Sequence, residues 1–209
     1  MQRRCLGQSR GQDPLCPYAW RGAELAEWVA EPLGLRFEWR HFSLIQWNRV
    51  AAGVAGQVWN ERLDADDATG GLGLRAFLGS CAARLQGPEA FDRYRIALMR
   101  ARHRDGAPFD EATLLRVAEE VGLQLPRFER DLADPELRTC LAQEHHRAAE
   151  LDVFGTPTFA FVDGGLAYFR VKELPADQAE AVRLFRAYRE LLHDFPYLET
   201  VRRPRPLHN

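Results

Sequence analysis

Strand-like sequence occurs at two separated places in this chain, and the long stretch between them reads as helix. In Leu35-Arg36-Phe37-Glu38-Trp39-Arg40-His41-Phe42, apolar and charged side chains alternate over most of the length, the two-residue period of a strand with one buried face. From Trp47 to Asp152 no comparable alternation occurs. Helical stretches there are punctuated by Gly70-Gly71, Gly87-Pro88, Gly106-Ala107-Pro108, Gly122 and Asp134-Pro135. Strand character returns at Thr158-Phe159-Ala160-Phe161-Val162. The turn residues Asp163-Gly164-Gly165 fold it back on Leu166-Ala167-Tyr168-Phe169-Arg170-Val171, giving two antiparallel strands. One α/β unit must therefore complete its sheet across a helical excursion.

Two helices flank these strands. Asp13-Pro14-Leu15-Cys16-Pro17 reads as a turn into a helix, because proline is favoured at the first helical position. The helix is predicted over about Tyr18 to Glu31. Leu25, Val29 and Leu33, with Trp28 beside them, form its apolar stripe, and Pro32 with Gly34 ends it. A last helix, about Ala176 to Phe195, aligns Ala181, Phe185, Tyr188, Leu192 and Phe195 on one face. The opening segment Met1 to Gln12 carries no strand signal, since Gln8-Ser9-Arg10-Gly11-Gln12 has no apolar side chain.

Composition narrows the function classes. With 209 residues and 46% apolar content the chain buries one sizeable core. A net charge of -2, spread along the sequence, offers no basic field to a phosphate backbone, so nucleic acid is not an expected partner. No run approaches the about 18 apolar residues of a membrane span or the apolar core of a secretory signal, and a soluble cytoplasmic protein with no membrane partner is expected. Cys5, Cys16, Cys81 and Cys140 show neither a Cys-x-x-Cys pair nor metal-ligand spacing, so no disulfide scaffold and no metal site is predicted.

The sharpest chemical signal is Cys16-Pro17-Tyr18-Ala19 opening a helix. Unpaired backbone N-H groups and the positive end of the helix dipole favour a thiolate there. Cys16 is the expected nucleophile. The competing reading is a buried small hydrophobe, the commoner fate of a free cysteine, but Asp13, Pro14 and Pro17 mark a turn and not a helix interior. The second signal is Val153-Phe154-Gly155-Thr156-Pro157-Thr158, a proline directly before a strand. Alone it would be read as a trans turn; paired with Cys16 it suggests a cis bond.

Together these two segments, Asp13 to Trp20 and Val153 to Phe159, resemble the DsbA-like thiol oxidoreductase family, in particular its cytoplasmic branch, over about Asp13 to Tyr197. The resemblance implies an α/β thioredoxin-like fold with an all-helical insertion domain. Residues 1–46 and 153–200 would make up the discontinuous thioredoxin-like domain, 47–152 the insertion, and 201–209 a frayed tail. It also implies a central first strand directly before Asp13, where the sequence shows none. In the family the first motif is a Cys-Pro-x-Cys pair. Cys16 matches its nucleophile, whereas Ala19 stands at the position of the resolving cysteine. Pro157 would be the cis-proline and Thr156 the residue whose backbone pairs with a bound substrate strand, beside Pro17 and Tyr18. The kappa-class glutathione transferases and 2-hydroxychromene-2-carboxylate isomerases look similar in layout and use one hydroxyl or thiol at this position. Trp47 and Asn48 would line a substrate pocket by the same likeness, or Asn48 would simply cap a helix.

These readings imply a thiol-disulfide oxidoreductase with one active-site cysteine. No cofactor would be tightly bound; glutathione or another low-molecular-weight thiol would serve as co-substrate. Its partners would be small thiols or disulfides, and protein disulfides. The alternatives are a transferase or isomerase for a hydrophobic electrophile, with Trp20, Trp47 and Trp59 as aromatic lining, and a non-catalytic peptide-binding module. Other groups look structural: His145 and His146 as a solvated helix face, Cys81 and Cys140 as core cysteines, Asp110-Glu111 and Asp66-Asp67 as charges at helix starts.

Overall fold

The computed structural model describes residues 6–64, 71–161 and 165–201. Its sheet has the order β2-β1-β3-β4: β1 (Leu6–Gln12) pairs parallel with β2 (Arg36–His41) and antiparallel with β3 (Thr158–Phe161), which pairs antiparallel with β4 (Gly165–Tyr168). The polar opening segment is thus the central strand, contrary to the reading that it carries none. Backbone ladders along both edges hold it, a source of order that does not depend on apolar side chains. A register shift after Ser9 interrupts both ladders, which resume at Gln12 opposite His41 and at Gly11 opposite Thr158, and Gly11 lets the loop before β3 come close: a Cβ there would lie 3.1 Å from Val153 Cγ1 and 3.3 Å from the Gly155 carbonyl oxygen.

Helix α1 (Pro17–Leu33) links β1 to β2, starts with proline in its first turn and ends on Gly34 at φ 62°, where the left-handed conformation favours glycine. It runs through Pro32 to Leu33, two residues beyond the expected end, with Leu25 and Val29 fully buried. Then come α2 (Leu44–Ala51), a 3-10 turn (Val58–Asn60), α3 (Leu74–Arg84), α4 (Pro88–His103), α5 (Glu111–Glu120), α6 (Leu125–Leu132) and α7 (Glu136–Glu150), and α8 (Gln178–Asp194) follows the hairpin. On α8, Ala181, Phe185 and Tyr188 reach the core; Phe195 lies past the helix end and is 45% exposed, so the apolar stripe is one residue shorter than predicted. Among the described residues no helix is long and apolar enough to cross a membrane. The hairpin turn Val162-Asp163-Gly164, the pair Asp66-Asp67, Cys5 and the tail beyond Val201 lie outside the described residues.

Two apolar clusters form. One joins α1, the sheet and α8 around Leu25, Val29, Phe159 and Phe185; the other joins α3, α5, α6 and α7 around Phe77, Val117, Phe128 and Leu141. Helix α4 feeds both, with Phe91, Ile96 and Met99 on the sheet side and Tyr94 and Leu98 on the helical side. Fully buried Arg95 on α4 lies 3.7 Å above the Trp39 ring of β2 and pairs with Asp92 and Glu27.

Candidate active site

The C-terminal end of β1 and the loop before β3 meet at an open cleft of about 510 Å³. Cys16 is the N-cap of α1, with extended backbone (φ -85°, ψ 115°), and its side chain makes no capping hydrogen bond. The thiol instead donates to the Thr156 carbonyl oxygen at 3.7 Å, so the sulfur lies between the helix N-terminus and the loop. Cys16 is 8% exposed and its cleft wall includes Pro17, Tyr18 and Thr156. The Thr156-Pro157 peptide bond is cis. The Pro157 ring packs beneath α1, where a Cβ on Gly22 would stand 2.4 Å from Pro157 Cγ; only glycine allows that approach.

Asp13 holds the turn. Its backbone carbonyl accepts from Cys16 N at 3.0 Å, while its carboxylate accepts from Leu15 N and from Leu44 N, each at 2.8 Å. One buried side chain therefore fixes both the Cys16 turn and the first residue of α2, whose Leu44 and Ile45 line the opposite side of the cleft. Burial pushes the Asp13 carboxyl up to about 6, against the pull of these two N-H donors. From α4, His103 Nε2 meets the Pro14 carbonyl oxygen at 2.8 Å and the His103 ring stacks on Trp20. Burial lowers the His103 pKa, which favours the neutral ring donating to that carbonyl. The outer wall is aromatic and cationic: Phe154 and Tyr168 face each other, and the Arg170 guanidinium lies 4.2 Å above the Tyr18 ring.

The structure brings together Cys16, Pro17, Tyr18, Thr156 and Pro157, but it does not bring Trp47 or Asn48 to the cleft. Trp47 packs on Phe42, and Asn48 lies inside α2, which Ser43 caps by accepting from Gln46 N. Neither Trp20 nor Trp59 lines the cleft: Trp20 turns to His103 and Trp59 to His145. His145 is not on a solvated face either. It is 3% exposed, stacks on Phe42 and accepts from Ser43 N through Nδ1, and burial takes its pKa down to about 4; only His146 faces solvent. Sequence reasoning missed His103, Tyr168 and Arg170, which carry no local motif, and took Asp13 only as a turn marker. Among the described residues no group of three or more histidine, cysteine or acidic side chains is arranged to hold a metal ion.

The chain is 27% identical, over 92% of its length and 80% of the relative's, to an uncharacterised protein of Mycobacterium tuberculosis. Its fold is similar to that of a 2-hydroxychromene-2-carboxylate isomerase (TM-score 0.60, 18% identity, 93% of this chain and 100% of that one). It is also similar to the cytosolic disulfide reductase DsbM of Pseudomonas aeruginosa (TM-score 0.56, 18% identity, 88% and 98%). Residues 12–182 match the model of the DSBA-like thioredoxin domain, and the chain belongs to that family.

Proposed function

We propose that the protein is a thiol-disulfide oxidoreductase in which Cys16 alone performs the exchange and a small external thiol completes it. The observation that carries this reading is the Cys16 sulfur on the helix N-cap, free of capping and facing the Thr156 carbonyl in an open cleft, with buried Ala19 one turn further on. The Cys16 thiolate attacks one sulfur of a substrate disulfide, the second sulfur leaves as a thiolate, and a mixed disulfide remains on Cys16. With no sulfur at Ala19, an incoming small thiol attacks the substrate sulfur of that mixed disulfide and returns the Cys16 thiolate. Glutathione or a comparable low-molecular-weight thiol fits the role, held against Tyr18, Tyr168 and the Arg170 cation; no tightly bound cofactor takes part. Substrates are small disulfides or extended segments of proteins pairing with the backbone at Thr156 and lying over Pro157. The likeness to a cytosolic disulfide reductase supports a cytoplasmic site of action.

One observation favours a second reading. The cleft walls Tyr18, Phe154 and Tyr168 are aromatic, and the fold is similar to that of an isomerase. Cys16 would then position a thiol cofactor toward a hydrophobic electrophile. A single assay separates the two. Reduction of a peptide-glutathione mixed disulfide by glutathione is expected for the wild type and absent in Cys16→Ser, and Ala19→Cys is expected to reduce the dependence of turnover on added thiol. Conjugation of a model electrophile without mixed-disulfide reduction would overturn the first reading. Peptide binding that survives Cys16→Ser with neither activity would indicate a binding module.

A further inference from the structure

The cleft beside Cys16 is divided by polarity. Leu15, Leu44 and Ile45 make one wall apolar, whereas Tyr18, Tyr168 and Arg170 make the other aromatic and cationic. Arg170, two residues past the end of β4, sets its guanidinium carbon 4.2 Å from the centre of the Tyr18 ring and 5.8 Å from that of Tyr168. Arg21, about one turn beyond Tyr18 on α1, stands 5.3 Å from the same Tyr18 ring. Two guanidinium groups thus converge on one ring although like charges repel. Among the described residues neither is in an ion pair. The acids nearest them in the sequence are engaged elsewhere, Glu24 by Arg100 at 2.7 Å and Glu173 by Lys172 at 3.4 Å. The acid on the cleft wall, Asp13, is turned to Leu15 N and Leu44 N. Stacking on an aromatic ring occupies the flat face of a guanidinium and leaves its in-plane N-H donors to a planar acceptor, and a carboxylate matches that fork.

We propose that Arg170, with Arg21 beside it, selects thiols and disulfides that carry a carboxylate and so sets the charge preference of the Cys16 reaction. The inference rests on the oxidoreductase reading of Cys16 and adds the chemical class of its substrate. When the Cys16 thiolate attacks one sulfur of such a disulfide, the bond between the two substrate sulfurs breaks, a bond to Cys16 forms, and the second sulfur leaves as a thiolate. The positive end of α1 acts on the sulfurs at Cys16, and Arg170 acts on the carboxylate of the same molecule, so the two attractions fall on different atoms of one ligand. A cationic disulfide would meet the two guanidinium groups on one wall and aliphatic side chains on the other. The cleft therefore rejects positive charge by repulsion as well as favouring negative charge by contact.

The test uses the full chain carrying Cys5→Ser and Cys140→Ser, which keeps Cys16 and the buried Cys81. Intact mass follows thiolation of Cys16 at pH 7 and low ionic strength by 3,3'-dithiodipropionate, 2-hydroxyethyl disulfide and cystamine, which are similar in size and are dianionic, neutral and dicationic. The readout is the rate with dithiodipropionate divided by the rate with cystamine, a ratio in which changes of Cys16 reactivity common to both cancel. Arg170→Gln is expected to lower this ratio about tenfold, the scale of one charge-assisted contact, and Arg170→Lys to retain most of it. Arg116→Gln, which removes an equal charge from the surface pair with Glu120 on α5, is expected to leave the ratio unchanged. The same ratio in Arg170→Gln as with Arg170 present, or an equal fall in Arg116→Gln, would overturn the anion site while the oxidoreductase reading stands. Failure of Cys16 to react with any of these disulfides would overturn that reading instead, and the site is then decided by binding. Calorimetric titration of the Cys16→Ser chain is expected to show tighter binding of S-methylglutathione than of its diethyl ester, a difference lost on adding Arg170→Gln; equal binding of acid and ester would overturn the proposal.

Discussion

Asp13 is the residue on which the cleft turns, and its titration is a direct prediction. Its carboxyl has a folded pKa of about 6 against 3.8 for the ordinary group, because burial outweighs two backbone N-H donors. The folded state therefore binds the proton more tightly than the unfolded chain. Asp13 contributes stability below about pH 3.8, and that contribution is lost as pH rises through about 6. At about 1.4 kcal/mol per unit, the loss is roughly 3 kcal/mol between these limits. Urea midpoints at intervals from pH 4 to 7 should show this falling component in the wild type and not in Asp13→Asn, and carbon-13 NMR of the Asp13 carboxyl should show a midpoint near 6; a midpoint near 4 would refute the account. Gly22→Ala is a second residue-scale prediction. Alanine gains about 1 kcal/mol of helix propensity over glycine, but its Cβ would stand 2.4 and 2.8 Å from two carbons of the rigid Pro157 ring. Overpacking costs about 1–3 kcal/mol, so the clash wins. The variant is expected to melt lower and to alkylate Cys16 at an altered rate; unchanged stability and rate would mean that the loop does not rest on α1. Cys16 and the Thr156-Pro157 loop were legible in the sequence because a proline beside each restricts the backbone. Tyr168 and Arg170 were not, since a side chain that reaches a cleft from the far strand leaves no local pattern.

Elements that stand on backbone pairing or on buried charge are harder to read than elements that stand on apolar periodicity. Helix α1 and strand β2 were legible from their stripes, whereas β1 was invisible to a hydropathy argument because Gln8 to Gln12 contributes ladders instead of apolar faces. Helix α7 was read as helix, but its docking was not foreseen, because Glu144 and His145 resemble surface residues in the sequence. In the fold Glu144 receives His41 N, His41 Nδ1, Arg40 and Arg84, joining α7 to both β2 and α3. Burial raises the Glu144 pKa, but the hydrogen bonds from His41 and the charge of Arg84 outweigh it and hold the carboxylate below its usual range. Its contribution to stability is thus present above the ordinary carboxylate pKa and is lost as pH falls through the depressed value. Glu144→Gln keeps the shape and removes the charge. Breaking a buried pair costs about 3–5 kcal/mol, and the low end applies because Arg40 and Arg84 reach solvent and can rehydrate. Chemical denaturation at pH 7 should show that loss, and the wild type and variant curves should converge in acid; parallel curves at every pH would show that the charge is not the source.

At the scale of the molecule, the helical region and the sheet region have separate apolar clusters but not separate scaffolds. The same helix, α4, contributes Phe91, Ile96 and Met99 to one cluster and Tyr94 and Leu98 to the other, while His103 at its end holds the Pro14 carbonyl under the cleft. Leu15 adds a second tie: its side chain packs so closely against Gly73, the residue capping α3, that a Cβ there would lie 2.9 Å away, and Gly73 has a φ of 70°. Loosening the helical region would then remove one wall from the Cys16 turn and half of the packing of α4. If the clusters were independent, each would open with its own free energy; shared helices instead make the larger opening cooperative. Hydrogen exchange with mass spectrometry, followed against low urea concentrations, is therefore expected to give amides of α3 and of β1 and β3 the same opening free energy and the same urea dependence. Leu98→Ala, which removes packing only on the helical side at a cost of about 2–5 kcal/mol, should lower protection in both regions by an equal amount. Protection that falls in α3 and α5 while β1 and β3 keep theirs would show that the two clusters unfold separately and that α4 does not couple them.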